Sequence, residues 1–346
     1  MIRIGIICPS EIAFRRFLPA LSKVQGLIFA GVAISTEKEW TGADYNIERE
    51  KEKASTFIDK YSGKIFNGYV NMITSDEVDA IYLPLPPALH YHWAKQALLY
   101  GKHVFLEKPT TTSLSECEEL VSLAKKKKLA IHENYMFAFH NQIQQINEFV
   151  ANGKIGDVRI YRISFGFPQR AKNDFRYNKK LGGGAILDCG GYTLKYASLL
   201  LGDTAKVVYA QSNGLNGFDV DMYGSAALIN DTGITAQVAF GMDNDYKCEL
   251  EVWGSKGSLY SSRVLTAPVG YIPELNISKG IEKESIQLKE DDAFMKSIMY
   301  FSECMTNDKK RNINYRLIIK QSNLLEQFLT LNKKTSVIAR KGNCKT

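Results

Sequence analysis

The sequence predicts an α/β chain in two parts, a doubly wound parallel sheet followed by an α+β part with an open, mainly antiparallel sheet. Three observations carry this. Short continuous apolar runs alternate with amphipathic stretches over residues 1–133. After about residue 134 the runs give way to in–out alternation, the mark of strands with one face in water. The length, 346 residues, suits two cores better than one.

In the first part the apolar runs are MIRIGII, LIFAGVAI, DAIYLPL, HVFLEK and LAIHEN. Strands buried on both faces read this way. Between them, residues 11–24, 46–60, 87–100 and 113–127 have helical spacing. Right-handed crossovers then lead to a Rossmann dinucleotide-binding domain. In the second part a helix over 140–152 stops at Asn152-Gly153, and residues 157–167 alternate. A glycine run leads into a helix over 186–200. Alternating runs follow at 205–213, 221–230, 233–241, 246–253 and 257–260, and helices at 292–306 and 313–332 close the chain. The predicted domains are residues 1–133 and 134–346, the second serving substrate binding and oligomerisation.

Composition narrows the function classes. The chain is 45% hydrophobic, has no apolar run of the ~20 residues that span a bilayer, and opens on a strand without a signal-peptide layout. The expectation is a cytoplasmic protein with no membrane partner. The formal charge of +7 includes KKKK at 125–128 and the tail KKTSVIARKGNCKT. No nucleic-acid-binding signature accompanies it, so the lysine run reads as a solvated helix end and the net charge as an attraction for anionic ligands. Cys8, Cys117, Cys189, Cys248, Cys304 and Cys344 are scattered, with no zinc spacing, and no metal is expected.

The first strand runs into GIICPSEIAFRRFLPAL, where a dinucleotide-binding chain carries G-x-G-x-x-G. Here those glycine positions hold Cys8, Ser10 and Ala13, with Pro9 between the first two. Ser10 offers a hydroxyl to phosphate, while Pro9 removes one backbone N–H; a lost hydrogen bond to a charged group costs about 1.5–3 kcal/mol. Glu11 and Ile12 open the helix and complete the loop, and Arg15 and Arg16 add charge. At the end of the second strand, Ser35 and Thr36 stand where an acid would hold the ribose of NAD. These hydroxyls with Lys38 favour the 2′-phosphate of NADP over NAD, with Glu37 as the residue that fits least.

Two segments carry chemistry. In FLEKPTT, Lys108 follows an apolar strand and so lies at a carboxyl end of the sheet, where such sheets bind ligands; Pro109 is a candidate for a cis peptide. Pro84, His90 and Glu107 stand at neighbouring strand ends and are candidate cofactor contacts. In LGGGAILDCGGYTLKYASLL, a helix puts Asp188, Tyr192 and Lys195 on one face. A tyrosine beside a carboxylate suits proton transfer. The bland alternatives are a surface Glu-Lys pair and a capped helix with an ordinary tyrosine.

These stretches together resemble the Gfo/Idh/MocA family, the glucose–fructose oxidoreductase and inositol dehydrogenase group. HYHWAKQALLYGKHVFLEKPTTTSLSECEELVSLA is similar to its most specific block, with E-K-P at Glu107, Lys108 and Pro109. FRYNKKLGGGAILDCGGYTLKYASLLLG is similar to its second, with the D-x-x-x-Y pair at Asp188 and Tyr192. The narrower run SEIAFRRFLPAL resembles nucleotide-sugar 3-ketoreductases of deoxysugar pathways. The resemblance implies an NAD(P)-dependent oxidoreductase acting on a sugar carbonyl or alcohol, a nucleotide-linked keto sugar first. It implies Lys108 orienting the carbonyl, Tyr192 donating the proton and Asp188 binding a substrate hydroxyl. It also implies a homodimer or homotetramer packed through the C-terminal sheet. Alternatives are a dehydrogenase of free sugars, polyols or trans-dihydrodiols, and, in another class, a non-catalytic dinucleotide sensor.

Overall fold

A computed structural model describes residues 1–40 and 46–342, with side chains to Lys333. Cys344 and the end of the basic tail lie outside the described residues. The chain divides into two compact units, Met1–Asn134 with Phe294–Ile319, and Tyr135–Ala293 with Lys320–Thr346.

Among the described residues the first unit carries a six-stranded sheet. Its strands are β1 (Ile2–Ile7), β2 (Leu27–Ile34), β3 (Lys64–Asn67), β4 (Ala80–Leu83), β5 (His103–Leu106) and β6 (Ile131–Glu133). The order is β3-β2-β1-β4-β5-β6 and every pairing is parallel, the doubly wound arrangement. Ile4, Ile6, Ile81, Leu83, Val104 and Leu106 are fully buried, which explains the continuous apolar runs. The helix Ile47–Tyr61 starts on Asn46, whose side chain accepts the Arg49 N–H at 3.0 Å. The lysine run 125–128 ends the helix Leu114–Lys127, where Lys128 turns left-handed at φ 57°. Cations there complement the helix dipole.

Among its described residues the second unit holds eight strands: β7 (Val158–Gly166), β8 (Lys206–Asn213), β9 (Tyr223–Ile229), β10 (Thr235–Gly241), β11 (Lys247–Gly254), β12 (Ser258–Ser262), β13 (Glu274–Lys279) and β14 (Glu282–Gln287). Their order is β14-β13-β12-β11-β7-β10-β9-β8. Only β7 with β10 is parallel. One face, with Tyr161, Ile163, Phe165, Val238, Phe240, Leu250 and Val252, is buried with the helix Gly191–Leu201 in the unit's core.

Two strand regions escape the pattern reading. β3 buries only Phe66 of its four residues; β13 buries Leu275 and Ile277 in a short alternation, and β14, at the sheet's edge, is polar and buries nothing. The closing helices also divide differently from the expected boundary. Phe294–Ile319 belongs to the first unit, because Phe294 packs on Phe17, Phe301 on Phe105, and the Tyr315 hydroxyl donates to Leu129 O. No helix among the described residues is long and apolar enough to cross a membrane.

Candidate active site

In the first unit the opening loop keeps the backbone of a glycine loop without its glycines. Cys8 takes φ 76°, the left-handed region where the first glycine would stand. Ser10 then caps the helix, its Oγ accepting the Ala13 N–H at 3.3 Å. The helix opens through a π turn, Ala13–Phe17, and continues as Leu18–Leu21. Glu11 and Ile12, both exposed, form the helix's first turn, whose N–H groups have no intrahelical acceptor and suit an anion. These features fit a dinucleotide. Burial pushes the Cys8 thiol up to about 12, so it stays protonated.

The residues after β2 sort into two groups. Ser35 is 1% exposed and faces the Tyr69 hydroxyl. Thr36 and Lys38 are exposed. Glu39, which the sequence reading passed over, folds back on this loop. Its carboxylate accepts from Thr36 N at 2.8 Å, Thr36 Oγ1 at 2.9 Å and Val70 N at 3.0 Å. Burial opposes its charge, yet these donors outweigh it and hold the carboxyl below its ordinary value.

Around Lys108 the support is polar and buried. The Lys108–Pro109 peptide is cis. Glu107 accepts from the Tyr82 hydroxyl at 2.8 Å and from Asn134 Nδ2 at 2.9 Å. Burial still raises its carboxyl above the usual range, against the pull of those donors. Asn134 in turn accepts from Ser297 Oγ, which His132 meets at 2.9 Å. His90 lies behind the Lys108–Pro109 turn. Its ring is fully buried, with Nδ1 2.8 Å from Pro109 O and Nε2 2.8 Å from Leu85 O. It clamps the turn that follows Lys108. Burial lowers its pKa, opposed by those two carbonyls. Pro84 is buried at the end of β4.

In the second unit the glycine run is a matter of space. A Cβ on Gly183 would lie 2.4 Å from Arg176 O, and one on Gly184 2.4 Å from Asp221 Oδ1. Gly182 and Gly184 have φ of 80° and 122°. Asp221, also missed from sequence, anchors the start of the next helix. Its Oδ2 accepts the Ile186 N–H at 2.9 Å and its backbone O the Ala185 N–H at 2.8 Å. Burial raises its carboxyl to about 6.

That helix opens with a π turn, Ile186–Gly190, before the α-helix Gly191–Leu201. Such turns widen a helix and frequently mark functional segments. Gly191 lets the Tyr135 hydroxyl approach, where a Cβ would stand 2.3 Å from it. Tyr135 meets Tyr192 edge to face at 5.1 Å, and Phe137 and Phe165 complete the aromatic surround. Tyr192 is 8% exposed. Asp188 has a cationic partner that its spacing does not announce. It receives Arg176 Nε at 2.7 Å, and the same guanidinium reaches Asp174. Burial works against the Arg176 charge, but the two carboxylates outweigh it. Through this pair Asp188 is tied to the loop that carries Arg176.

Comparison with known proteins agrees with this layout. Residues 35–135 match the model described as oxidoreductase family, NAD-binding Rossmann fold, and residues 143–260 match the GFO/IDH/MocA C-terminal domain. The chain is 34% identical over 329 residues, 95% of each chain, to dTDP-3,4-didehydro-2,6-dideoxy-alpha-D-glucose 3-reductase of Actinomadura kijaniata. It is 36% identical over 308 residues to the enzyme so named from Streptomyces violaceoruber, covering 88% of this chain and 85% of that one. The crystal structure of KijD10, a 3-ketoreductase from Actinomadura kijaniata in complex with NADP and TDP-benzene, superposes with a TM-score of 0.88 at 34% identity, covering 95% of this chain and 97% of that one. With both halves matched by family models and relatives alike over nearly their whole length, the chain belongs to the Gfo/Idh/MocA family of oxidoreductases.

Proposed function

We propose that this protein reduces the keto group of a nucleotide-linked deoxysugar with NADPH. The observation that carries the reading is the 34% identity, over 95% of both chains, to a reductase of a dTDP-linked didehydro sugar. The Cys8–Ile12 loop would hold the pyrophosphate, and Thr36 with Lys38 the 2′-phosphate, once Glu39 releases the Thr36 donors. NADPH, when bound, supplies the hydride that the carbonyl carbon receives. Lys108 holds the carbonyl oxygen by a charged hydrogen bond as negative charge develops on it. Tyr192 donates its phenolic proton to that oxygen. Asp188 acts through Arg176 as a positioning residue. Glu107 and His90 keep the Lys108 turn in place.

Substitution tests the roles. Lys108→Met and Tyr192→Phe should each lower kcat by about 10²–10⁴-fold, the usual share of general acid–base catalysis, while a fluorescence titration still shows NADPH binding. Wild-type turnover in both variants would remove this mechanism.

We propose assembly through the outer face of the second sheet as a dimer or tetramer. Strand register puts Tyr209, Tyr223, Trp253 and Tyr260 on that face, each 40–52% exposed. Aromatic residues are enriched at subunit interfaces.

A further inference from the structure

The segment between β7 and the Tyr192 helix, residues 167–185, is strongly basic. It reads FPQRAKNDFRYNKKLGGGA, with five cations and a single carboxylate. A run of this kind is ordinarily a solvated loop, but this one is held by its own hydrogen bonds. The Arg170 backbone N–H donates to the Tyr177 hydroxyl at 2.8 Å. Asp174 and Asn178 side chains cap two short 3-10 turns, accepting from Arg176 N at 3.0 Å and Lys180 N at 2.9 Å. Gly184 N donates to Arg176 O and Gly183 N to Asn178 O.

The charges also divide by task. Arg176 is spent on Asp174 and Asp188, and so ties the loop to the helix of Tyr192. Arg170, Lys172, Lys179 and Lys180 are exposed and form no ion pair among the described residues. The Arg170 guanidinium lies over the Phe167 ring, 5.1 Å from its centroid, which limits its freedom. Four uncompensated cations on a fixed backbone attract a compact polyanion. The cofactor's pyrophosphate is already served by the Cys8 loop of the other unit, so a second anion of the reaction is the natural occupant.

We propose that Arg170, Lys172, Lys179 and Lys180 hold the diphosphate of the nucleotide-linked substrate. This rests on the nucleotide-sugar reading above and specifies where that substrate is recognised. Arg176, one helix turn from Tyr192 through Asp188, fixes the position of the loop relative to the proton donor.

Calorimetric titration of the full-length protein with thymidine diphosphate, thymidine and, separately, NADPH tests this. Removing one cation should weaken thymidine diphosphate about threefold, and the Arg170→Ala/Lys179→Ala/Lys180→Ala protein about thirtyfold, as expected for exposed charge pairs. NADPH affinity should not change, which also reports that the variant is folded. Thymidine diphosphate binding to the wild-type protein should fall with added salt, and thymidine binding should not. Undiminished thymidine diphosphate binding in the triple variant, with turnover of a dTDP-linked keto sugar intact, would overturn the loop assignment and leave the substrate reading standing. Failure of the wild-type protein to bind thymidine diphosphate, together with reduction of a free keto sugar, would overturn both.

Discussion

Two segments of this protein solve one backbone problem differently. Each passes through left-handed residues into a π turn and then an α-helix: Cys8 to Leu21 in the first unit, and Gly182 to Leu201 in the second. The first does so with a cysteine at φ 76°, the second with glycines at φ 80° and 122°. A left-handed conformation costs an ordinary residue roughly 1–2 kcal/mol, which a fold can absorb. A Cβ 2.4 Å from a backbone oxygen has no such remedy. Glycine is therefore dispensable where only the sign of φ calls for it, and indispensable where space does.

The largest test of this contrast is Gly183→Ala. The atom it meets is a backbone carbonyl, so the loop must move. We expect a loss of about 3 kcal/mol or more in urea melts and the loss of turnover. A stable, active variant would break the comparison. Next comes Asp221→Asn, which probes what holds the second segment. The Asp221 carboxyl titrates at about 6 in the folded protein against an ordinary 3.8, so the folded state binds the proton more tightly. That contribution to stability is complete below about pH 4 and is lost as pH rises through 6, on the order of 3 kcal/mol in all. The amide cannot titrate, so the variant's stability should stay flatter between pH 4 and 6. Equal slopes for both proteins would deny Asp221 this role. The smallest effect belongs to Cys8→Gly. Relief at φ 76° is offset by a freer unfolded chain, and the net change should stay within about 1 kcal/mol, with NADPH affinity retained. A large loss in thermal melts would show that the thiol packing, rather than tolerance of strain, keeps Cys8 in place.

Legibility in the sequence followed burial. β1, β2, β4, β5 and β6 were readable because they are largely buried and hence mostly apolar. β3 and β14 were not, since edge strands such as EKESIQ bury almost nothing and carry no periodic signal, and β13 buries only Leu275 and Ile277, an alternation too short to stand out. Lys108 and Tyr192 stood out through their motifs. The supporting residues Asp221 and Arg176 did not, because they act through contacts to Ile186 and Asp188 that no local spacing encodes. Asp188 shows the limit most clearly. Its i,i+4 relation to Tyr192 was legible, whereas the Arg176 guanidinium that occupies it comes from twelve residues upstream, across a loop whose path depends on Gly183 and Gly184. His90 and Ser35 stood at the right strand ends, but whether a side chain at such a position points outward is decided by what packs behind it.

The return of Phe294–Ile319 to the first unit bears on how the chain is made. A ribosome delivers residues 1–134 first, and domains commonly fold in that order as they emerge. Here the early sheet still lacks Phe301 against Phe105, the Asn314 side chain that donates to Ile131 O, and the Tyr315 hydroxyl that donates to Leu129 O. Its consolidation waits until the whole second sheet has been synthesised. The dinucleotide-binding half is thus the first to be begun yet is completed only after the second sheet has been made, and a fragment ending at residue 134 leaves bare the surface that those late helices cover.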